Sequence, residues 1–330
     1  MPSRDATDPV LTPEDQRLVA ALQYDGRLTA EAAGEALGIS PRRVLRRWKA
    51  LLGDGTVRVV LPVAPDPSAA PALGAQFLRI RVLRGKLDTI TAALAARDDI
   101  PFIDVTTSGD EILAVAWTRP GAPDPLVFRQ LPSTQAVTSV DAATVLHVFR
   151  LASQWRHDVL TVAERGAVTP PSSPARGELD ATDRAILAAL ADDARLPAAA
   201  VSSRTGCPQS TVRRRLASLT AEGRLATQVV VDPRRLGLTV DANVLLRVPP
   251  DFLTAAGRAL AEHSAVHGAF ATSGPSNLHA AVWLRDLAAL YAFLAEDLTG
   301  LGVTHVETAI VSRAVKRPGG RSGSGGAPLR

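Results

Sequence analysis

The chain is written twice. Residues 11–22 read LTPEDQRLVAAL and residues 179–190 read LDATDRAILAAL, an offset of 168 positions. At that offset Asp15 meets Asp183, Leu28 meets Leu196, Gly38 meets Gly206, Val44 meets Val212, Arg47 meets Arg215 and Gly55 meets Gly223, without a gap. Further on, TTSGDEILAVAW (106–117) matches ATSGPSNLHAAVW (271–283) with one insertion, and VTSVDAATVL (137–146) matches VTHVETAIVS (303–312). A repeat of this length restricts the fold to two like units in series.

Each unit begins with three short helices. Thr12 is placed to N-cap the first, Pro13 suits its first position and Asp15 can close a capping box; Asp180 and Asp183 repeat the arrangement. A second helix follows Leu28 and stops at Gly38, and Ser40-Pro41 starts a third. Two helices joined by a tight Gly-edged turn read as a helix-turn-helix. TVRVVLPV and RLATQVVVD then read as strands, each forming a wing. The second half of each unit reads strand, helix, strand, strand, helix, strand, with SGD as a tight turn. That βαββαβ order is ferredoxin-like. The last helix of the first copy is broken by Pro123 and Pro125, which weakens any pocket there.

The expected fold class is α+β: two copies of a winged helix-turn-helix followed by a ferredoxin-like domain. The boundaries read as 1–62 and 179–232 for the winged helices, and 72–150 and 238–316 for the ferredoxin-like effector domains. A Pro/Ser/Gly linker spans 164–178 and a low-complexity tail, expected to be disordered, spans 317–330.

Composition excludes several classes. No apolar run reaches 18 residues, so no membrane span is expected. The opening MPSRDATDPV lacks a signal peptide's apolar core, which points to the cytoplasm. A single cysteine, Cys207, rules out an intrachain disulfide framework, and its alignment with Ile39 makes it a small core residue. No phosphate loop, Ser/His/Asp motif or metal cluster has supporting spacing, so neither cofactor nor catalysis is expected. HSAVH (263–267) has helical metal-ligand spacing, but Val266 begins a strand and no third ligand follows, so these read as surface histidines.

Net charge is only +4, so the placement of the charges matters more than their sum. Residues 1–62 hold nine basic and eight acidic residues, yet 40–51 hold five basic and no acidic ones. Turning 100° per residue from Val44 puts Trp48 and Leu51 on its face and Arg42, Arg46 and Lys49 opposite, with Arg43 on a flank. In the second copy Val212, Leu216 and Leu219 form the apolar stripe; Ser210 and Arg214 face away, with Thr211 and Arg213 at the flanks. A basic helix face is most often merely solvated. Segregation on the third helix of a helix-turn-helix, repeated in both copies, favours contact with double-stranded DNA. Arginine offers bidentate contacts to guanine or phosphate. Arg47 and Arg215 point between core and surface and read as partners of Asp15 and Asp183 rather than of DNA.

These patterns resemble the Lrp/AsnC (feast/famine) family of transcriptional regulators. The matching pieces are LDATDRAILAAL, GCPQSTVRRRLASLTAEGRL and VVVDPRRLGL in the second copy, and LTPEDQRLVAAL and LGISPRRVLRRWKALLGDGTV in the first. The resemblance implies a DNA-binding regulator responsive to an amino acid or other small metabolite. It implies an effector site near the Gly turn of each ferredoxin-like domain: Thr107, Ser108, Gly109 and Asp110, and Thr272, Ser273 and Gly274. These can equally be plain turn residues. The fusion implies a pseudo-dimer within the chain, and the family a homo-oligomer. Because Arg42, Arg43 and Arg46 stand against Ser210, Thr211 and Arg214, the expected operator is asymmetric. Pro208 replaces Ser40, so the second reading helix is expected to lack a side-chain cap that the first has.

Sirohaem decarboxylases also resemble this family and supply the alternative. There the resemblance would fall on HGAFATSGPSNLHAAVW (267–283), which keeps His267, Asn277 and Leu278 but lacks the tyrosine and the aromatic pair.

Overall fold

The computed structural model describes residues 9–62, 74–118, 126, 130, 131, 134–175, 177–317, 320 and 321. The chain forms two compact units, and each draws on both copies: one holds residues 10–62 with 156–232, the other 74–155 with 233–321. Like pairs with like, so the sequential order of units is not the order of compact bodies.

In the first unit, α1 (Pro13–Tyr24), α2 (Ala30–Leu37) and α3 (Pro41–Gly53) pack around Leu18, Leu22, Leu37, Val44 and Trp48. Thr12 accepts from the Asp15 amide, and Gly38 ends α2 at φ 68°, the left-handed conformation that glycine adopts without strain. The second copy supplies α6 (Ala181–Ala189), α7 (Ala198–Thr205) and α8 (Gln209–Ala221) around Ile186, Val201, Val212 and Leu216. Asp180 and Asp183 form the expected capping box. Ser40 makes no side-chain cap bond, so the expected difference from Pro208 is not there.

Two expectations are corrected in this unit. Among the described residues no wing forms within either copy. β1 (Val57–Val60) and β6 (Gln228–Val231) are single short strands that pair antiparallel with each other, because four residues alone leave both edges unsatisfied. The segment read as a linker opens with a helix, α5 (Val162–Val168), capped by a Thr161–Glu164 box. Leu160 and Val168 bury against α1 and α2, and Glu164 pairs with Arg17.

The second unit holds β2 (Gly74–Val82), α4 (Leu87–Ala95), β3 (Phe102–Thr106), β4 (Glu111–Thr118) and β5 (Val137–Arg150) from the first copy. The second copy adds β7 (Val240–Arg247), α9 (Pro250–Glu262), β8 (Val266–Thr272), β9 (Leu278–Leu284), α10 (Leu287–Ala292) and β10 (His305–Arg317). The α10 helix runs on as a π-turn, Phe293–Asp297. Each copy's sheet has the ferredoxin-like order, β3-β4-β2-β5 and β8-β9-β7-β10.

The two sheets are continuous. β5 pairs with β2 up to Thr144 and with β8 from Val145, and β10 pairs with β7 up to Ile310 and with β3 from Val311. Eight strands thereby close a ring with two seams, which removes the free edges that either sheet would present alone. Phe77 and Leu113 meet Leu245 and Ala309 inside it. Arg317, placed by sequence in the disordered tail, ends β10 with its guanidinium buried, and Gly320–Arg321 pairs back on it as β11. The start of the first effector domain, the remaining tail and most of the Pro-broken segment at 123–131 lie outside the described residues.

Candidate nucleic-acid interface

Why α3 presents its arginines follows from its two faces. Val44, Trp48 and Leu51 are 0%, 2% and 4% exposed, and fully burying side chains of this size contributes about 1.5–3 kcal/mol each. That fixes the helix rotation and turns Arg42, Arg43, Arg46 and Lys49 to solvent. On α8, Val212, Leu216 and Leu219 are buried while Ser210, Arg213 and Arg214 are exposed and Thr211 is half-buried. All eight side chains singled out from sequence therefore lie on the outer side or flank of their helix.

Arg47 is held in place by structure. Its Nε and Nη2 donate to the two Asp15 carboxylate oxygens at 2.7 and 2.5 Å. Burial pushes Asp15 up, but hydrogen bonds from Arg47 and Thr12 outweigh it and hold the carboxyl below its usual range. Arg215 pairs in the corresponding way with Asp180 at 2.7 Å and with Asp183 at 3.3 Å. Arg43 reaches Glu14 at 2.7 Å across an exposed gap, a pair of the kind worth about 0–1 kcal/mol and readily exchanged for a phosphate.

Sequence reasoning missed three features here. Leu45 is 61% exposed on the outer flank of α3. Arg27 donates to the Ala194 and Leu196 carbonyls, and Arg195 to those of Gly26 and Leu28. These two arginines stand at the repeat offset, which was the available signal. Arg195 also lies over the Trp48 ring at 5.0 Å.

The effector-turn candidates lie at the two seams of the ring. Gly109 and Gly274 take φ 77° and 97°, which explains both glycines. The Thr107 amide donates to the Ile310 carbonyl of β10, while the Ser273 amide donates to the Thr144 carbonyl of β5 and Ser273 Oγ accepts from the Thr144 amide. Ser108 donates to Asp110 at 2.6 Å, and Thr272 is buried and bonded to the Ser276 carbonyl. Each turn thus touches the other copy's long strand.

Inside the ring lies a charged cluster that sequence did not reveal. Arg317 donates to Asp104 and, at 2.8 Å, to Asp241, and sits over the Phe102 ring at 4.1 Å. His267, expected at the surface, is 2% exposed and stacks on Trp283 at 3.9 Å beside Asp241; the continuous apolar run VHGAFAT buries it on β8. His263, at the end of α9, remains partly exposed and bonds Asp297. The expected role of HSAVH as a surface pair therefore fails for His267, and no metal-holding cluster occurs among the described residues. Cys207 is half-buried against the second head's core. Burial and the nearby Asp241 push the Asp104 carboxyl up to about 7, with Arg317 opposing.

That shift fixes a pH dependence. An unfolded Asp titrates near about 3.9, so the folded state keeps a proton the unfolded state has lost. The stability this confers is present below about pH 4 and is lost as pH rises through about 7. Asp104→Asn removes it. The unfolding free energy of wild type relative to Asp104→Asn is expected to fall from pH 5 to pH 7 by up to about 1.4 kcal/mol per unit. A flat difference in denaturant titrations across that range would show that Asp104 is ionised throughout.

Comparison with known proteins bears on both heads and on the effector half of the second copy. Residues 11–52 and 179–220 each match the AsnC-type helix-turn-helix domain, and residues 241–320 match the Lrp/AsnC ligand binding domain. An uncharacterized HTH-type transcriptional regulator of Pyrococcus horikoshii is 29% identical over 151 residues, 45% of this chain and 95% of that protein. The HTH-type transcriptional regulator LrpA of the same organism is 26% identical over 140 residues, 42% of this chain and 99% of its own. These relatives are about half as long as this chain, so each aligns with a single unit's length. Among solved structures, a sirohaem decarboxylase, NirDL, matches 93% of both chains with a TM-score of 0.57 at 15% identity, a likeness of fold. Among the described residues no helix is long and apolar enough to cross a membrane.

Proposed function

Since the chain belongs to the Lrp/AsnC family of transcriptional regulators, with its unit duplicated in tandem, we propose that it is a sequence-specific DNA-binding regulator read out through α3 and α8. The observation that carries this is the pair of outward arginine-bearing helix faces, each rotated into place by a fully buried valine, Val44 and Val212. Arg42, Arg43, Arg46 and Lys49 on one head and Ser210, Thr211, Arg213 and Arg214 on the other enter the major groove or grip its phosphates. An amino acid or related small metabolite, bound at the seam turns around Thr107–Asp110 and Thr272–Gly274, sets occupancy. The pseudo-dimer is internal to the chain, and assembly into homo-oligomers adds further heads.

The enzymatic reading has the whole-chain likeness to NirDL in its favour. Against it, the residues it would use are occupied: His267 stacks on Trp283, Asn277 bonds both the amide and the carbonyl of Val248, and Leu278 is fully buried.

The test is selection of bound genomic fragments by purified protein at physiological salt. An enriched motif is expected, with affinity falling steeply as salt rises because phosphate contacts release counterions. No enrichment, together with a shift of sirohaem's visible bands on mixing, would replace the regulator by the enzyme.

A further inference from the structure

The two reading heads are locked to one another. β1 and β6 pair over four residues, and the Ala194 amide donates to Val59 at 2.8 Å. Arg27 holds two carbonyls of the second copy at 2.5 and 3.2 Å, and Arg195 holds two of the first at 2.6 and 3.1 Å. The Gly26 amide donates to Thr227 Oγ1, and a Cβ on Gly26 would stand 2.4 Å from that oxygen. Ala194 is buried in the first head's core, while Leu61 packs on the second's. Residues at the repeat offset exchange the same bonds in both directions, so the heads are related by an approximate two-fold.

A two-fold reader with identical heads cannot tell a site from its reverse. Here the heads are not identical. On the outer faces Arg42 meets Ser210, Arg43 meets Thr211, Leu45 meets Arg213 and Lys49 meets Ala217; only Arg46 and Arg214 agree. The first head thus carries four outward cations and an apolar side chain, the second two cations and two hydroxyls. Glu14, which pairs with Arg43, is Thr182 in the second copy, so that trimming of charge is also one-sided.

Resting on the DNA-reading role above, we infer that one chain reads a directional site: two unlike half-sites in fixed order rather than an inverted repeat. The half-site under α3 presents an apolar edge, a thymine methyl, to Leu45 and supplies more of the phosphate contacts; the half-site under α8 is read through Ser210, Thr211 and Arg213.

The experiment compares the selected site with two inverted repeats, each made by doubling one of its halves. Wild type is expected to bind both repeats at least about tenfold more weakly than the native order, since each mismatched base pair lowers affinity by roughly 5- to 150-fold. S210R/T211R/R213L/A217K, which makes the heads alike, is expected to switch preference to the repeat of the α3 half. R42S/R43T/L45R/K49A is expected to switch it to the repeat of the α8 half. Either repeat binding wild type as tightly as the native site would overturn directionality while leaving DNA reading intact. Failure to select any sequence would overturn the DNA reading itself, and this inference with it.

Discussion

Arg317→Met is expected to lower the unfolding free energy by about 3–5 kcal/mol, the cost of leaving buried carboxylates without their cation. Asp104 is 0% exposed, and Asp241, half-buried, lies beside His267 and Trp283. Arg317 is the guanidinium that bonds both, and it joins a strand of the first copy to one of the second. Burial alone pushes Asp241 up, but Arg317 and His267 hold it below the usual range; without the guanidinium both carboxyls would have to take up protons or the ring would open. The variant is therefore expected to be more damaged at pH 8 than at pH 5. Adding Asp104→Asn should recover part of the loss, because neutralising the partners together costs far less than orphaning one. Denaturant titration of the full chain reads this. A loss below about 1 kcal/mol at pH 8 would show that solvent reaches the carboxylates.

How far the fold could be read from the chain differs by element. The six helices of the heads were legible because their signals are local: Thr12, Asp180, Gly38 and Gly206 cap or end them, and Val44 and Val212 set their rotation. The ring of strands was legible only in pieces. Period-2 patterns identify β2 to β5 and β7 to β10, but nothing local says that β5 and β10 change partners halfway along. That handover pairs residues more than 100 positions apart, such as Val145 with Thr272. Single-strand wings were misread for the same reason, since β1 finds its partner in β6 of the other copy.

Other misses had local signals. T-V-A-E at 161–164 is a capping box, overlooked because Gly166 and Pro170 gave the stretch a linker's composition. Arg317 was assigned to the tail because PGGRSGSGG follows it without pause, although RAVKR continues the alternation of β10. Of the candidate DNA-facing residues, every one could be placed by the helical wheel, because a strongly two-faced helix leaves little rotational choice. Leu45 was not among them, because it lies about 100° from Val44, on the flank where the wheel alone does not decide between core and solvent.

The largest functional effect is expected from Arg46→Ala with Arg214→Ala. These are the outward residues shared by both heads, and both are exposed, so their removal leaves the cores untouched. Each bidentate contact contributes about 1–3 kcal/mol, so the pair is worth about 2–6 kcal/mol of binding, a loss of roughly 30-fold to 20,000-fold. The loss should come with a shallower dependence on salt, since fewer phosphates are neutralised. The most direct measurement is the affinity of this double variant for the selected DNA site at physiological salt, beside its thermal unfolding. The account predicts the full loss of affinity with melting unchanged from wild type. Binding within about threefold of wild type would show that α3 and α8 do not read DNA.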